Sequence, residues 1–293
     1  MSSIDDLIAL MGLEGESAPQ PSTYASFLVG DINHLPLADK SVRCVVTSPP
    51  YFMVRDYGHG TDQLGLEQNI SDYTKNLVRC FDDVRRVLAD DGTVWVNIGN
   101  TYNTHGVIHP SAHQRGLGQH NSSNAQSHSL AASKGLARSS SRTGSNLKNK
   151  DLTGAPWRFA IAMIDAGWYL RSEVIWDKMQ ARPESAPDRP SRNHEQIFLF
   201  AKSRHYFYNK HKGARSTVWP IAIAKIKKKT GPAVFPEELA HRCILASTEE
   251  GDTVLDPFAG SGVTLVAAKK LGRSSIGTDL SDVWWRKRQG ISV

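Results

Sequence analysis

Val42-Arg43-Cys44-Val45-Val46-Thr47-Ser48-Pro49-Pro50-Tyr51 is the stretch that decides the fold. Its first five residues form a mostly apolar, β-branched run of strand length, and the two prolines stop it, since proline cannot donate to a sheet ladder. Downstream, Tyr73, Leu77, Val78, Phe81, Val84 and Leu88 recur at helical spacing. Ser71 is placed to cap this helix, Asp72 stands in its first turn, and Gly92 is expected to close it. Residues 93–98 then resume strand character. A strand, a loop, a crossover helix and a strand over 42–99 make the unit of a parallel sheet.

Working outward, Phe27-Leu28-Val29-Gly30-Asp31 reads as a short strand ending in a turn. Before it, residues 4–11 suit a short helix, and 14–23, with two prolines and several small polar residues, suit a linker. The spacing further predicts a helix over 156–166, a strand over 170–176, an apolar stretch over 196–201 and a helix over 236–246. The last part is the most regular: a strand at 253–255, the turn Asp256-Pro257-Phe258-Ala259-Gly260-Ser261-Gly262, a helix to Leu271 and a strand over 274–279. The expected organisation is residues 1–23 as N-terminal helix and linker, then one α/β domain over 24–293. Its sheet is twisted and mostly parallel, with helices on both faces in the Rossmann-like manner.

The chain has 293 residues, a formal charge of +6 and a pI of about 9.2, a modest excess that favours a polyanionic partner. Cys44, Cys80 and Cys243 are far apart and form no metal-type pair, so three packed, reduced thiols are expected. Residues 1–13 carry Asp5 and Asp6 but no Lys or Arg, unlike the basic start of a signal peptide, and no apolar run approaches a membrane span. A soluble, cytoplasmic protein without membrane partners is expected. Two stretches have no acid at all: 104–150, rich in Ser, Asn, Gly and His, expected to be a mobile loop, and 202–229, with nine Lys or Arg. The five histidines of the first match no ligand spacing, and no metal is expected.

In the glycine turn, Gly260 and Gly262 let backbone approach a ligand where a Cβ would clash, and the following helix N-terminus favours a negative group. Asp279 ends the next strand, 23 residues beyond Asp256, where an acid can accept hydrogen bonds from ribose hydroxyls. Together these suit an amino acid joined to a nucleoside. Alone, the turn equally suits a plain strand-to-helix connection, with Asp256 a turn former and Asp279 a helix cap.

At the other corner, Pro49 and Pro50 fix φ twice and leave carbonyls as acceptors beside a hydroxyl, Ser48, and an aromatic face, Tyr51. An exocyclic amino group on a base is a poor nucleophile because its lone pair is delocalised into the ring. Acceptors at Ser48 Oγ and the Pro49 carbonyl would hold its two N–H groups and localise that lone pair, while Tyr51 would stack on the base. Taken in isolation, the five residues 47–51 also suit a strand end with a packed tyrosine.

Read together and in this order, Thr-Ser-Pro-Pro-Tyr at 47–51 and Asp-Pro-Phe-Ala-Gly-Ser-Gly at 256–262 resemble the β-class amino-methyltransferases of DNA. Pro156-Trp157-Arg158, the segment 170–176, His194-Glu195 and Phe235-Pro236-Glu237-Glu238-Leu239 are similar too. The resemblance implies an S-adenosyl-L-methionine-dependent methyltransferase fold with circularly permuted motif order and a loop insertion for DNA recognition. It implies catalytic roles for Ser48, Pro49, Pro50 and Tyr51. Cofactor contacts are implied for Asp31 near the adenine, Phe235 near the methionine end, Asp256, Pro257, Phe258, Ala259, Gly260, Ser261, Gly262 and Asp279. Serine at the first motif position is typical of cytosine-N4 enzymes, where aspartate is usual for adenine-N6.

The implied activity is therefore methylation of cytosine N4 in duplex DNA after base flipping, with adenine-N6 methylation and a non-catalytic DNA-binding module as rivals. Enzymes that methylate glutamine amides or RNA bases share such corners, whereas C5 methylation of cytosine needs a thiolate, and no Pro-Cys pair occurs. The implied partners are double-stranded DNA and a cognate restriction endonuclease, the protein itself acting as monomer or homodimer. Residues 177–230 and the loop 104–150 are expected to read DNA, with Trp176 and Lys178 as pocket residues. Two departures stand out: only 14 residues follow Asp279, and 225–229 is more basic than the family's usual connection.

Overall fold

In the computed structural model, the opening strand lies inside an eight-stranded sheet. The structure describes residues 23–60, 63–103, 147–179, 186–213, 215–223 and 235–291, together with 181, 184 and the backbone of 109–110. The expected helix at 4–11, almost all of the 104–150 loop and the basic run 225–229 lie outside these residues.

The strands are β1 (Ala25–Val29), β2 (Val42–Thr47), β3 (Arg55–Asp56), β4 (Leu88–Ile98), β5 (His109–Pro110), β6 (Tyr169–Asp177), β7 (His194–Ala201), β8 (Val218–Pro220), β9 (Thr253–Asp256) and β10 (Ser274–Asp279). Among the described residues five α-helices accompany them: α1 (Ile70–Val87), α2 (Ala155–Asp165), α3 (Glu237–Ser247), α4 (Val263–Lys270) and α5 (Val283–Gln289). The main sheet runs β1-β10-β9-β2-β4-β7-β6-β8, while β3 and β5 form a separate pair. Within it β7 alone is antiparallel to its neighbours. This is the α/β, mostly parallel architecture that the alternation of elements predicts.

Successive side chains of a strand point to opposite faces, so a central strand covered on both sides must be apolar throughout. Accordingly Val42 and Val45 of β2 join one core with Val94, Val96 and Ile98 of β4, Phe198 and Phe200 of β7, and the helices α1 and α2. Cys44 and Val46 join the other, with Trp95, Ile197, Leu199, Val254 and the helices α3 and α4. On α1 the buried residues are Ile70, Tyr73, Leu77, Cys80, Phe81, Val84 and Val87, one continuous stripe. Each large member stabilises the fold by roughly 1.5–3 kcal/mol through burial.

Two boundaries differ from the sequence reading. The N-cap of α1 is Asn69, whose side chain accepts from the Asp72 amide at 2.8 Å, and Ser71 lies inside the helix. The helix ends at Val87, and Gly92 sits within β4, where the register against β2 shifts. A Cβ there would fall 2.9 Å from the Arg43 carbonyl, so the glycine permits a close strand approach rather than a helix stop.

The described part of the basic stretch, 202–213 and 215–223, is also not one surface. Because β7 runs backwards, it ends with Ala201 opposite Thr93, at the entrance of β4. The Phe207 amide bonds Asp91 O and the Asn209 amide bonds Ala246 O. Lys202, Arg204, Lys210 and Lys212 thus lie at the end of the sheet away from the prolines, and only β8, beside Ile175 to Asp177, brings the chain back. These four basic residues are therefore not beside the prolines, and 225–229 lies outside the described residues.

Candidate active site

The carboxyl ends of adjacent parallel strands converge on one side of a sheet, and ligands of such folds bind there. β2 and β9 are neighbours, with Cys44 opposite Val254 and Val45 opposite Leu255. The Ser-Pro-Pro-Tyr corner and the glycine turn, distant in the chain, therefore leave the sheet side by side. A cavity of about 710 Å³ opens between them, lined among others by Ser48, Pro50, Pro257, Phe258, Gly260 and Asp279.

Asp256 is 2 % exposed and points inward. It accepts from Thr47 Oγ1 at 2.7 Å, Thr264 Oγ1 at 2.6 Å and the Phe258 amide at 3.2 Å. Burial raises its carboxyl to about 6, and these three donors oppose the rise. The carboxylate thus locks the end of β2 to the turn and does not line the cavity. Ala259 is buried, its amide bonded to Thr278 O, and Gly262, at φ 73°, lies against the ring of Trp285.

Gly260 has φ 50° and open space where a Cβ would stand, and its amide donates to Asp279 Oδ2 at 2.9 Å. Burial pushes the Asp279 carboxyl upward while backbone donors resist. Asp31 lines the same cavity and caps the short turn after β1, accepting from the Asn33 amide at 2.9 Å. Trp284 of α5 lines it as well, and Trp285 stacks on Phe27 at 5.4 Å. The seven residues of α5 thus supply a wall where the sequence promised only a short tail. Ser261 is partly exposed, and Phe235 sits in the core under α3, 8 % exposed. Neither it nor Ser261 lines the cavity.

At the catalytic corner the Pro50 carbonyl accepts from Tyr73 Oη of α1 at 2.9 Å. Pro49 is buried, and neither it nor Tyr51 is among the residues that line the cavity. Tyr51 is held by its hydroxyl, which contacts Ser48 Oγ at 3.3 Å, Asn97 Oδ1 at 3.2 Å and Glu195 Oε2 at 2.7 Å. Its ring fills the space where a Cβ on Gly99 would go. Lys178 Nζ pairs with Glu195 Oε1 at 2.6 Å. Trp176 is 4 % exposed, bonded through Nε1 to Ile221 O, and belongs to the core.

Asn97, Glu195, Tyr73 and Thr47 were not given roles from the sequence, although Thr47 opens the 47–51 motif and Glu195 stands in a family-like segment. The loop after the corner adds more: Tyr57 and His59 face the cavity, and both their amides donate to Gln63 Oε1, at 2.9 and 3.2 Å. Beyond β4, Arg189 and Arg192 flank the Tyr102 ring at 3.6 and 5.8 Å, on the cavity side of the sheet. Among the described residues no three His, Cys, Asp or Glu side chains group as metal ligands.

Known proteins are similar to this chain in sequence and in fold. A family model described as DNA methylase, of the N6/N4 type, matches residues 42–285. The type II methyltransferase M.SmaI of Serratia marcescens is 42 % identical over 251 residues, covering 82 % of this chain and 80 % of that one. M.Cfr9I of Citrobacter freundii, also a type II methyltransferase, is 42 % identical over 257 residues, covering 84 % and 79 %. Among solved structures, the PvuII DNA methyltransferase (cytosine-N4-specific) superposes with a TM-score of 0.65 at 20 % identity, covering 91 % of this chain and 86 % of that one. A putative DNA modification methylase of Thermus thermophilus, complexed with S-adenosyl-L-methionine, gives 0.58 at 22 % identity, covering 91 % and 92 %.

Proposed function

The chain belongs to the DNA methylase family, and from that premise we propose that it transfers a methyl group from S-adenosyl-L-methionine to N4 of a cytosine flipped out of duplex DNA. The observation that carries this reading is the shared cavity, in which Ser48 and Pro50 face the glycine turn and Asp279. The volume of about 710 Å³ is within the range of cofactor and substrate pockets. The residues also fit the cofactor: Gly260 leaves open space beside the cavity, and Asp31, Asp279 and Trp284 bring acids and an aromatic face for a nucleoside to one wall.

When bound, the cofactor supplies an electrophilic methyl group on a sulfonium. The chain's own residues have three tasks. Asp279 and Asp31 accept hydroxyl and amino hydrogens of the nucleoside, with Gly260 and its neighbours giving backbone room. Ser48 Oγ and the Pro49 carbonyl accept the two hydrogens of the target amino group, so that its lone pair is localised and the positive charge developing on nitrogen is stabilised. Tyr51, fixed by its hydroxyl, is the aromatic residue assigned to stack on the base, a contact worth on the order of 1–3 kcal/mol. Extrusion of the base costs a few kcal/mol, met by those contacts.

Support for cytosine over adenine comes from Ser48 and from the structural neighbour whose name carries cytosine-N4 specificity. Supports for phosphate contacts are Arg189 and Arg192, in the segment that precedes β7 on the cavity side of the sheet, and this is the part of 177–230 to which the proposal assigns DNA reading. Bacterial type II relatives support a restriction-modification setting with a partner endonuclease and a cytoplasmic site of action on nucleoid or phage DNA. Nucleoside mass spectrometry of DNA from cells expressing the protein is the test. N4-methylcytosine is expected; methyladenine in its place would move the assignment to adenine N6.

A further inference from the structure

A serine hydroxyl has one donor and two acceptor positions and rotates to suit its surroundings. Ser48 helps an amino group only if its own proton points away from that group, so its orientation has to be imposed. The neighbours of Tyr51 impose it. Glu195 Oε2 lies 2.7 Å from Tyr51 Oη and also accepts from Asn97 Nδ2 at 3.1 Å, while its other oxygen pairs with Lys178 Nζ at 2.6 Å. Burial and the adjacent Glu195 charge keep the Tyr51 phenol protonated. An ionised carboxylate can only accept, so the single phenolic proton is committed to Glu195, and the Tyr51 oxygen is left to accept from Ser48 Oγ at 3.3 Å.

We propose that Glu195 is a positioning residue for methyl transfer: it polarises the chain Ser48 to Tyr51 to Glu195 in one direction, so that the Ser48 lone pairs face the target amino group. This rests on the amino-methyl transfer proposed above. The elements are spread over the sheet: Ser48 and Tyr51 follow β2, Asn97 belongs to β4, Glu195 to β7, and Lys178 follows β6. The ion pair with Lys178 and the amide of Asn97 keep the carboxylate in place.

Glu195→Gln reverses the chain with little change of shape. Lys178 requires an oxygen at its side, which turns the amide NH2 toward Tyr51. The phenol then donates to Asn97 or to Ser48, and in the latter case it takes up the lone pair that the base needs. Single-turnover methyl transfer is expected to fall about 10–100-fold, with cofactor and DNA affinities, measured by calorimetry and filter binding, within about twofold of the unaltered protein. Tyr51→Phe removes the middle link, so adding Glu195→Gln to it is expected to cost nothing more.

Multiplicative losses in the double variant, a loss confined to KM, or no loss on Glu195→Gln would each overturn the proposal. If Glu195→Gln does not fold, Glu195→Asp serves in the same cycle, since its shorter arm cannot reach both Lys178 and Tyr51; an unchanged rate there overturns the proposal equally. Mass spectrometry of the product in these reactions separates the two levels. A methylated base other than N4-methylcytosine defeats the cytosine reading while the cycle still tests the chain, whereas wild-type protein that methylates no base defeats both.

Discussion

Replacing Asp256 by Asn is expected to stabilise this protein near neutral pH, although the residue stands in its most diagnostic motif. The carboxyl is raised from 3.8 to about 6 by burial. Between those values the folded state binds a proton that the unfolded chain has already released, so stability falls as pH rises through this window. The span of roughly 2 pH units corresponds to about 3 kcal/mol lost by pH 8. An amide avoids that loss and satisfies the same neighbours. Its oxygen takes the Thr47 hydroxyl and the Phe258 amide, as Oδ1 does now. Its NH2 donates to Thr264 Oγ1, whose own proton is then free for the Val46 carbonyl 3.3 Å away.

Urea unfolding of the two proteins between about pH 4 and pH 8 measures this directly. The difference, variant minus wild type, is expected to be near zero at the acid end and to grow to as much as about 3 kcal/mol at pH 8, through the midpoint and not the slope. A difference that stays constant across the range, or a less stable variant at the alkaline end, would refute the reasoning. Cofactor affinity should change little, because the carboxylate lies outside the cavity; its collapse would place Asp256 at the ligand instead.

Ser48→Ala is expected to lower methyl transfer about 100-fold while DNA affinity, read by gel shift, is unchanged, because the lost acceptor acts mainly at the transition state. The two glycines of the turn should separate by assay. At Gly260 a methyl enters open space at the cavity, so Gly260→Ala weakens cofactor binding in calorimetry and costs only about 1 kcal/mol of stability for its left-handed φ. Gly262→Ala also drives a Cβ into Trp285 and is expected to lower the thermal midpoint clearly more than Gly260→Ala does. Cys44, Cys80 and Cys243 are buried, and burial pushes the first two thiols up to about 12 and the third upward, so a disulfide reagent at about pH 8 should label them only as fast as the chain unfolds.

How far the sequence could be read follows from the distance over which each feature is determined. Strand runs such as 42–46 and 196–201 announce themselves because burial on both faces demands mostly apolar residues, and the glycine turn because backbone conformation restricts which residues fit. The N-cap falls at Asn69 and not at Ser71 because both residues cap well and only the fold decides between them. The basic stretch 202–229 looks uniform because composition carries no direction, whereas the reversal of β7 sends its first half to the far end of the sheet. The partners of Tyr51 were invisible for a related reason: Asn97 and Glu195 lie 46 and 144 residues away and meet it only through strand order.

Strand order also explains why the catalytic corner can precede the cofactor turn in the chain without harm. What the site needs is that β2 and β9 be neighbours running the same way, and a parallel sheet can supply that with either strand first. Thr47 and Asp256 act as the seam. They are 209 positions apart, yet a 2.7 Å hydrogen bond joins them at the points where the two strands end. Any chain that keeps this seam, the left-handed glycines beyond it and the proline pair beside it can hold the methyl donor and the amino group in one cavity. Connections elsewhere are then free to change. The segment between β6 and β7 leaves the sheet on the cavity side, and altered length or charge there is expected to change which DNA is read while leaving the methyl-transfer geometry as it is.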